Sequence, residues 1–129
     1  MRILLADDDH ELRFILARVL LRDGFEVEEM RDFQSLFRRL SQVTALSREA
    51  RKGVVLVSDV YLPGGTSLEA VRALGEDIRG LPMIFITSAR DDDLTYQGMQ
   101  LGATAVLSKP VDLDELKRLL HRMDVPPCV

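Results

Sequence analysis

Ile3, Leu4, Leu5 and Ala6 form a short continuous apolar run that ends abruptly in three carboxylates, Asp7, Asp8 and Asp9. A run that is apolar on both faces and bounded by polar residues is what a strand buried in a parallel sheet requires. Beyond it the period changes. Leu12, Ile15, Leu16, Val19 and Leu20 recur at spacings of three and four, which predicts a helix with that apolar face, and Gly24 is placed to stop it. Phe25 and Val27 alternate with Glu26 and Glu28 as in a second strand, and Phe33, Leu36, Phe37 and Leu40 give a second helical stripe. Residues 54–59, VVLVSD, are β-branched and apolar on both faces and predict a third strand. Residues 62–66 carry Pro63, Gly64 and Gly65 and read as a loop. Either Thr66 or Ser67 then caps a third helix bearing Leu68, Val71, Leu74 and Ile78, with Glu69 as the negative charge its first turn prefers. Residues 81–86 and 103–107 are the fourth and fifth strands, separated by a helix over 92–100. Asp112 caps a last helix with Leu113, Leu116, Leu119 and Leu120. Only residues 41–53 break the alternation, and both a lengthened second helix and an irregular surface connection fit them.

Five strand and helix pairs in strict alternation imply an α/β domain: a doubly wound five-stranded parallel sheet with right-handed crossovers and helices on both faces. Ligands of such sheets bind beyond the carboxyl ends of the strands. Asp7, Asp8, Asp59, Thr87 and Lys109 all fall at or just after the ends of the first, third, fourth and fifth strands, so residues far apart in sequence are expected to converge on one edge.

Composition narrows what that edge does. A chain of 129 residues, 47% hydrophobic and 29% charged, suits one compact domain with a single core. With 21 acidic against 17 basic side chains the net charge is -4, so no global positive field holds a phosphate backbone and direct nucleic-acid binding by this domain is not expected. One cysteine, Cys128, leaves no internal disulfide framework or thiolate metal site. No apolar run approaches the length of a membrane span, and a cytoplasmic protein without membrane contact is expected.

Against that background Asp7 and Asp8 beside Asp59 form an acidic cluster, costly unless a cation occupies it, because adjacent carboxylates repel and raise one another's pKa. Oxygen-only ligands favour Mg²⁺, which keeps positions open to the oxygens of a phosphoryl group. Lys109 adds a positive charge and Thr87 a hydroxyl donor, so the set contains what phosphoryl transfer to a carboxylate needs. Taken singly each residue has a plainer reading: Asp8 and Glu11 have the spacing of a capping box, Asp59 of a turn residue, Thr87 of a backbone partner and Lys109 of a solvated lysine. Their joint placement at four strand ends favours the first reading.

The stretches ADDDHELR, VLVSDVYLPG, FITSA and LSKP, in this order, resemble the receiver domain of two-component response regulators, over essentially the whole chain. The resemblance implies the flavodoxin-like, CheY-like (βα)5 fold with strand order 2-1-3-4-5. It implies Asp59 as phosphoacceptor, Asp7 and Asp8 as the acidic pair for Mg²⁺ with the backbone carbonyl of Tyr61 as a further metal ligand, and Thr87 and Lys109 as contacts of the acyl phosphate. It also implies a cis bond between Lys109 and Pro110, and leaves Asp9 as a helix-start residue. The implied partners are a sensor histidine kinase or phosphotransfer protein upstream and a downstream protein or fused output domain; self-association is left open. The implied domain catalyses only its own phosphorylation and dephosphorylation. Residues 1–123 would form it, with 124–129, including Pro126 and Pro127, as a tail or the start of a linker and no output segment after Met123.

Four departures from the family pattern matter. Val106 stands where many receivers carry an aromatic residue that swings inward on activation, which puts the output mechanism in question and makes a phosphorylation-independent interaction module the alternative. Thr104 and Ala105 lack the acidic pair that some transcription-factor receivers use in dimer salt bridges. Tyr61 and Ala89 flank the expected phosphate site, and the bulk of Tyr61 predicts restricted water access and slow dephosphorylation. Residues 41–52 are longer than most receivers have there, and Arg48, Arg51 and Lys52 within them read as a solvated face. A phosphohydrolase with an aspartyl-phosphate intermediate is disfavoured, because Tyr61 stands where such enzymes place a second aspartate.

Overall fold

The computed structural model describes residues 1–88 and 92–124, Asp124 by its backbone alone. The apolar runs and stripes become β1 (Arg2–Ala6), α1 (His10–Arg22), β2 (Glu26–Met30), α2 (Phe33–Thr44), β3 (Val54–Asp59), α3 (Ser67–Leu74), β4 (Met83–Thr87), α4 (Asp92–Gln100), β5 (Ala105–Ser108) and α5 (Leu113–Asp124). The five strands pair in parallel in the order β2-β1-β3-β4-β5, the order the resemblance implies. Strand alternation divides the core. Leu4, Leu56 and Phe85 pack on one face with Leu36 of α2, Leu68 of α3 and Leu94 of α4. Ile3, Leu5, Val55 and Val57 point to the other, where Leu16 of α1 and Leu116 of α5 cover them. Both faces of β3 and β4 are thus dry, which is why their sequences are apolar throughout rather than alternating.

The ends of the helices follow from their capping residues. Asp9, not Asp8, caps α1, its carboxylate accepting from the Leu12 N–H at 3.1 Å. The far end closes with a Schellman motif: Phe25 N donates to the Leu20 carbonyl and Gly24 N to the Leu21 carbonyl, both at 3.1 Å, with Gly24 at φ +96. Of the two caps offered for α3, Thr66 takes the role, accepting from the Glu69 N–H at 3.1 Å. Asp112 caps α5 through the N–H groups of Asp114 and Glu115.

Several elements differ from expectation. Ile15 is half exposed, because the stripe of α1 that meets the sheet is Arg13, Leu16, Ala17 and Leu20, with Leu12 and Val19 at its margins. Ile78 is buried but lies in a separate 3-10 turn, Gly75–Ile78, since Gly75 at φ +56 ends α3. The expected loop after β3 contains a small antiparallel hairpin that pairs Tyr61 with Thr66 and Leu62 with Gly65. Gly65 is required there: a Cβ would stand 2.9 Å from the Phe33 ring. In the long segment α2 continues to Thr44 and turns follow. Arg48 and Lys52 are exposed as expected, but Arg51 is not part of a solvated face. It is only 9% exposed, and its guanidinium donates to the carbonyls of Asp77 at 2.6 Å and Arg79 at 2.9 Å. Ala89 and residues 125–129 of the expected tail lie outside the described residues.

Candidate functional site

Parallel register brings the strand ends level. Ala6 is opposite Ser58, Asp59 opposite Ile86, and Thr87 opposite Ser108, so Asp7, Asp59, Thr87 and Lys109 leave the sheet along one edge. Backbone hydrogen bonds continue the ladders past the strands: Asp7 N donates to the Met30 carbonyl at 3.0 Å, Val60 N to the Ile86 carbonyl at 2.8 Å, and Lys109 N to the Thr87 carbonyl at 2.9 Å. The peptide bond after Lys109 is cis, as expected.

Carboxylate oxygens of Asp7, Asp8 and Asp59 lie within 4.8 Å of one another, the first and third buried and Asp8 exposed. Lys109 Nζ donates to Asp59 Oδ2 at 2.9 Å and stands 3.6 Å from Asp7 Oδ2. One ammonium therefore faces Asp59 and Asp7 with Asp8 close to both, and the imbalance is felt by Asp59. Burial raises the Asp59 pKa above the usual carboxylate value; the Lys109 hydrogen bond and charge oppose this, while the charges of Asp7 and Asp8 add to it. For Lys109 burial works against the charged form, but the hydrogen bond and charge of Asp59 and the charge of Asp7 outweigh it, and its pKa is raised. Thr87 is buried at the end of β4, and Tyr61, in the hairpin that follows β3, is half exposed.

The donor set suits a hard divalent cation. Asp7 Oδ1 is occupied by the Asp9 N–H at 2.9 Å, whereas Asp7 Oδ2 is buried without a hydrogen-bond partner among the described residues and has the Lys109 ammonium only at 3.6 Å, which leaves room for a cation to satisfy it further. All the candidate ligands are oxygens, as Mg²⁺ prefers.

A residue that the sequence reading passed over supports the cluster from beneath. Arg13 is only 9% exposed, and its Nη1 donates to the Asp7 carbonyl at 2.7 Å, its Nε to Glu29 Oε1 at 3.1 Å and its Nη2 to His10 Nδ1 at 3.0 Å. The loop that presents Asp7 and Asp8 is thereby tied to α1 and to β2. The available signal was a cation in register with Leu16, Ala17 and Leu20, on the stripe that meets the sheet.

Comparison with known proteins places the chain in a family. The family model described as "Response regulator receiver domain" matches residues 3–121. The C4-dicarboxylate transport transcriptional regulatory protein DctD of Pseudomonas aeruginosa is 37% identical over 121 residues, 94% of this chain and 24% of DctD. The transcriptional regulatory protein TctD of Salmonella typhimurium is 32% identical over 123 residues, 95% of this chain and 51% of TctD. The chain thus spans about half of TctD and a quarter of DctD. Among solved structures, the non-phosphorylated HemR receiver domain from Leptospira biflexa superposes with a TM-score of 0.76 at 27% identity, covering 99% of this chain and 98% of that one.

Proposed function

Because the chain belongs to the response regulator receiver family, a family of phosphoacceptor signalling switches, we propose that Asp59 is the residue that carries the phosphoryl group. Asp7, Asp8 and the Tyr61 carbonyl, with Asp59 itself, are the ligands of a Mg²⁺ ion, and Thr87 and Lys109 are the contacts of the phosphoryl oxygens. The observation that carries this reading is the Lys109 ammonium held 2.9 Å from Asp59 within a cluster whose deepest oxygen, Asp7 Oδ2, has no hydrogen-bond partner among the described residues.

In the proposed reaction an Asp59 carboxylate oxygen attacks phosphorus of a phosphohistidine on a histidine kinase or phosphotransfer protein. The new P–O bond forms as the P–N bond breaks, and the histidine nitrogen leaves with the electron pair and takes up a proton. When bound, Mg²⁺ supplies Lewis-acid stabilisation of the developing phosphoryl charge. Lys109 moves no proton. Already aligned on Asp59, it supplies fixed positive charge beside the transferring group, the kind of preorganised electrostatic help that accounts for much of phosphoryl-transfer catalysis. Thr87 offers a hydroxyl donor at the end of the neighbouring strand. The domain is regulatory: it catalyses only the gain and loss of its own phosphate, in the cytoplasm, and a downstream protein or attached output domain reads the difference.

Intact-mass spectrometry after incubation with Mg²⁺ and a small acyl phosphate tests this directly. One phosphoryl adduct is expected, absent from Asp59→Asn and absent when the metal is chelated. An adduct that survives in Asp59→Asn, or none in the folded wild type with Mg²⁺ present, overturns the assignment. Tyr61→Ala is expected to shorten the lifetime of that adduct by opening the site to water.

A further inference from the structure

We propose that the opposite end of the sheet holds a second, cationic site that binds a small phosphorylated anion, built by the long segment between α2 and β3 together with the turn before β4. A cavity of about 350 Å³ lies there, with Arg48, Arg51, Lys52 and Arg79 on its wall beside Leu81 and Pro82. That volume is within the range of small-molecule pockets, about 300–1,000 Å³. Among the described residues none that lines it is acidic, although the chain as a whole carries a net charge of -4.

Arg48, Lys52 and Arg79 are exposed on this wall and Arg51 is not. Arg51 is nine-tenths buried, and it spends its guanidinium on two backbone carbonyls, Asp77 and Arg79. These bonds pin the segment to the turn before β4 but bring no negative charge to a buried cation. Arg48 and Arg79 make no ion pair among the described residues, and Lys52 has only Glu49, at 3.7 Å between two exposed side chains. An exposed pair at that separation neutralises little. Gly80, at φ +88, adds a stretch of bare backbone: a Cβ built on it meets nothing within 4 Å. Like charges gathered around one concave surface raise the local potential and favour an anionic ligand. Guanidinium groups match phosphate in shape and hydrogen-bond geometry. Leu81, Pro82, Val54 and Met123 supply an apolar wall, so the class that fits best is a phosphate joined to an organic group, a nucleotide being the simplest example.

The site is separable from the acidic one. Val54 opens β3 at the cavity and Asp59 closes it at the carboxylates, a rise of about 16 Å along the strand, so one ligand of this size does not bridge the two.

The test is a titration followed by ¹⁵N–¹H correlation spectra, in magnesium-free buffer so that phosphate is not recruited to the carboxylates, at constant ionic strength. The probes are inorganic pyrophosphate and ADP, and the comparison is the double variant Arg48→Ser/Arg79→Ser, both exposed positions. Saturable shifts are expected at the amides of Lys52, Gly53, Val54, Gly80 and Leu81, with those of Asp8, Asp59 and Lys109 unmoved, and a loss of at least about tenfold in affinity in the variant. Tighter binding of ADP than of pyrophosphate identifies the apolar wall as a nucleoside subsite, and equal binding assigns recognition to the phosphates alone. No saturable shift, shifts confined to the carboxylate edge, or equal affinity in a variant whose spectrum is that of a folded protein overturns the proposal. Because neither metal nor phosphorylation enters, the outcome is independent of the role proposed for Asp59.

Discussion

At Asp59 function and stability pull in opposite directions. Its carboxylate is buried between two others with one lysine to balance them, and its pKa is raised, with burial the largest cause. A carboxyl whose folded-state pKa lies above its unfolded value favours folding at low pH, and that contribution is lost as pH rises through the folded pKa. At neutral pH and without metal the ionised Asp59 therefore destabilises the fold. Asp59→Asn should raise the thermal midpoint in chelator, by about 2–6 °C for a change near 1 kcal/mol; this gain should shrink as the pH is lowered towards the carboxylate range. Mg²⁺ should raise the wild-type midpoint, reaching about 2.7 kcal/mol of stabilisation at a hundredfold excess over its dissociation constant, and do so less in Asp59→Asn. Thermal melts with and without Mg²⁺ across pH decide both points. Arg13 acts at one remove. Its bond to the Asp7 carbonyl orients the loop that carries two of the proposed ligands, and partners of this kind typically change metal affinity by about 10- to 100-fold. Arg13→Lys should increase the Mg²⁺ concentration needed for half-maximal phosphorylation while leaving the rate at saturating Mg²⁺ close to wild type. A merely structural Arg13 would lower the melting temperature without moving the Mg²⁺ dependence.

Among the elements, α4 is held by an absence. Gly98 is buried in its last turn, and a Cβ there would stand 2.8 Å from Val106 Cγ2 and 3.4 Å from the Phe85 ring. Glycine lets the helix lie directly on β5, and Val106, small and stiff at χ1, is what it lies on. Alanine would gain about 1 kcal/mol in helix propensity but overpack a contact with a rigid β-branched side chain, typically at a cost of about 1–3 kcal/mol. Gly98→Ala should thus be destabilising on balance, and less so in a Val106→Ala background, where the obstructing methyl is gone. A double-mutant cycle of denaturant midpoints checks the coupling; strict additivity would show that the two positions do not share the constraint. The sequence made some of these elements plain and hid others for identifiable reasons. The β3 run was legible to the residue because it is an unbroken β-branched apolar stretch that meets Asp59 at its end, and the helix over 92–100 also fell where it was expected. Spacing alone pointed to Asp8 as the cap of α1, whereas the resemblance left Asp9 as the helix-start residue, and Asp9 is the one whose carboxylate takes the Leu12 N–H. The hairpin at Tyr61–Leu62 is too short to show a period. Arg51 was misread because charge in a turn-rich stretch ordinarily means solvent, and the carbonyls that bury it come from residues 26 and 28 positions away. The site residues were legible because they sit at strand ends in register, whereas Arg13 acts through a backbone oxygen that no sequence pattern marks.

Over the whole molecule, burial is unevenly shared, and this decides which part can respond to a phosphate. All five residues of β4 and all but the first of β3 are buried, so neither strand shifts without breaking the core. On the far face α5 is fixed by Leu116 and Leu120, by the pairing of His121 with Asp23 at the end of α1, and by packing of His121 on Phe25. The nine residues of α4 bury only Leu94 and Gly98, and the second brings no side chain. Tyr96 and Met99 are exposed, and the polar link to α3 runs from Arg72 to Gln97 on the surface at 2.6 Å, a type of contact worth about 0.5–1.5 kcal/mol. Elements with few buried apolar contacts open at free energies well below global unfolding. A ligand that makes a differential contact with two arrangements of α4 is enough to bias them. Amide exchange should therefore show β1, β3 and β4 exchanging near the global limit and α4 through a lower-energy local opening. With Mg²⁺ and beryllofluoride as the phosphoryl mimic, protection should change in α4 and along β5 and stay constant in α2 and the core strands, with no change in Asp59→Asn. A uniform change across the sheet would mean that the signal travels through the core and not through its most loosely held helix.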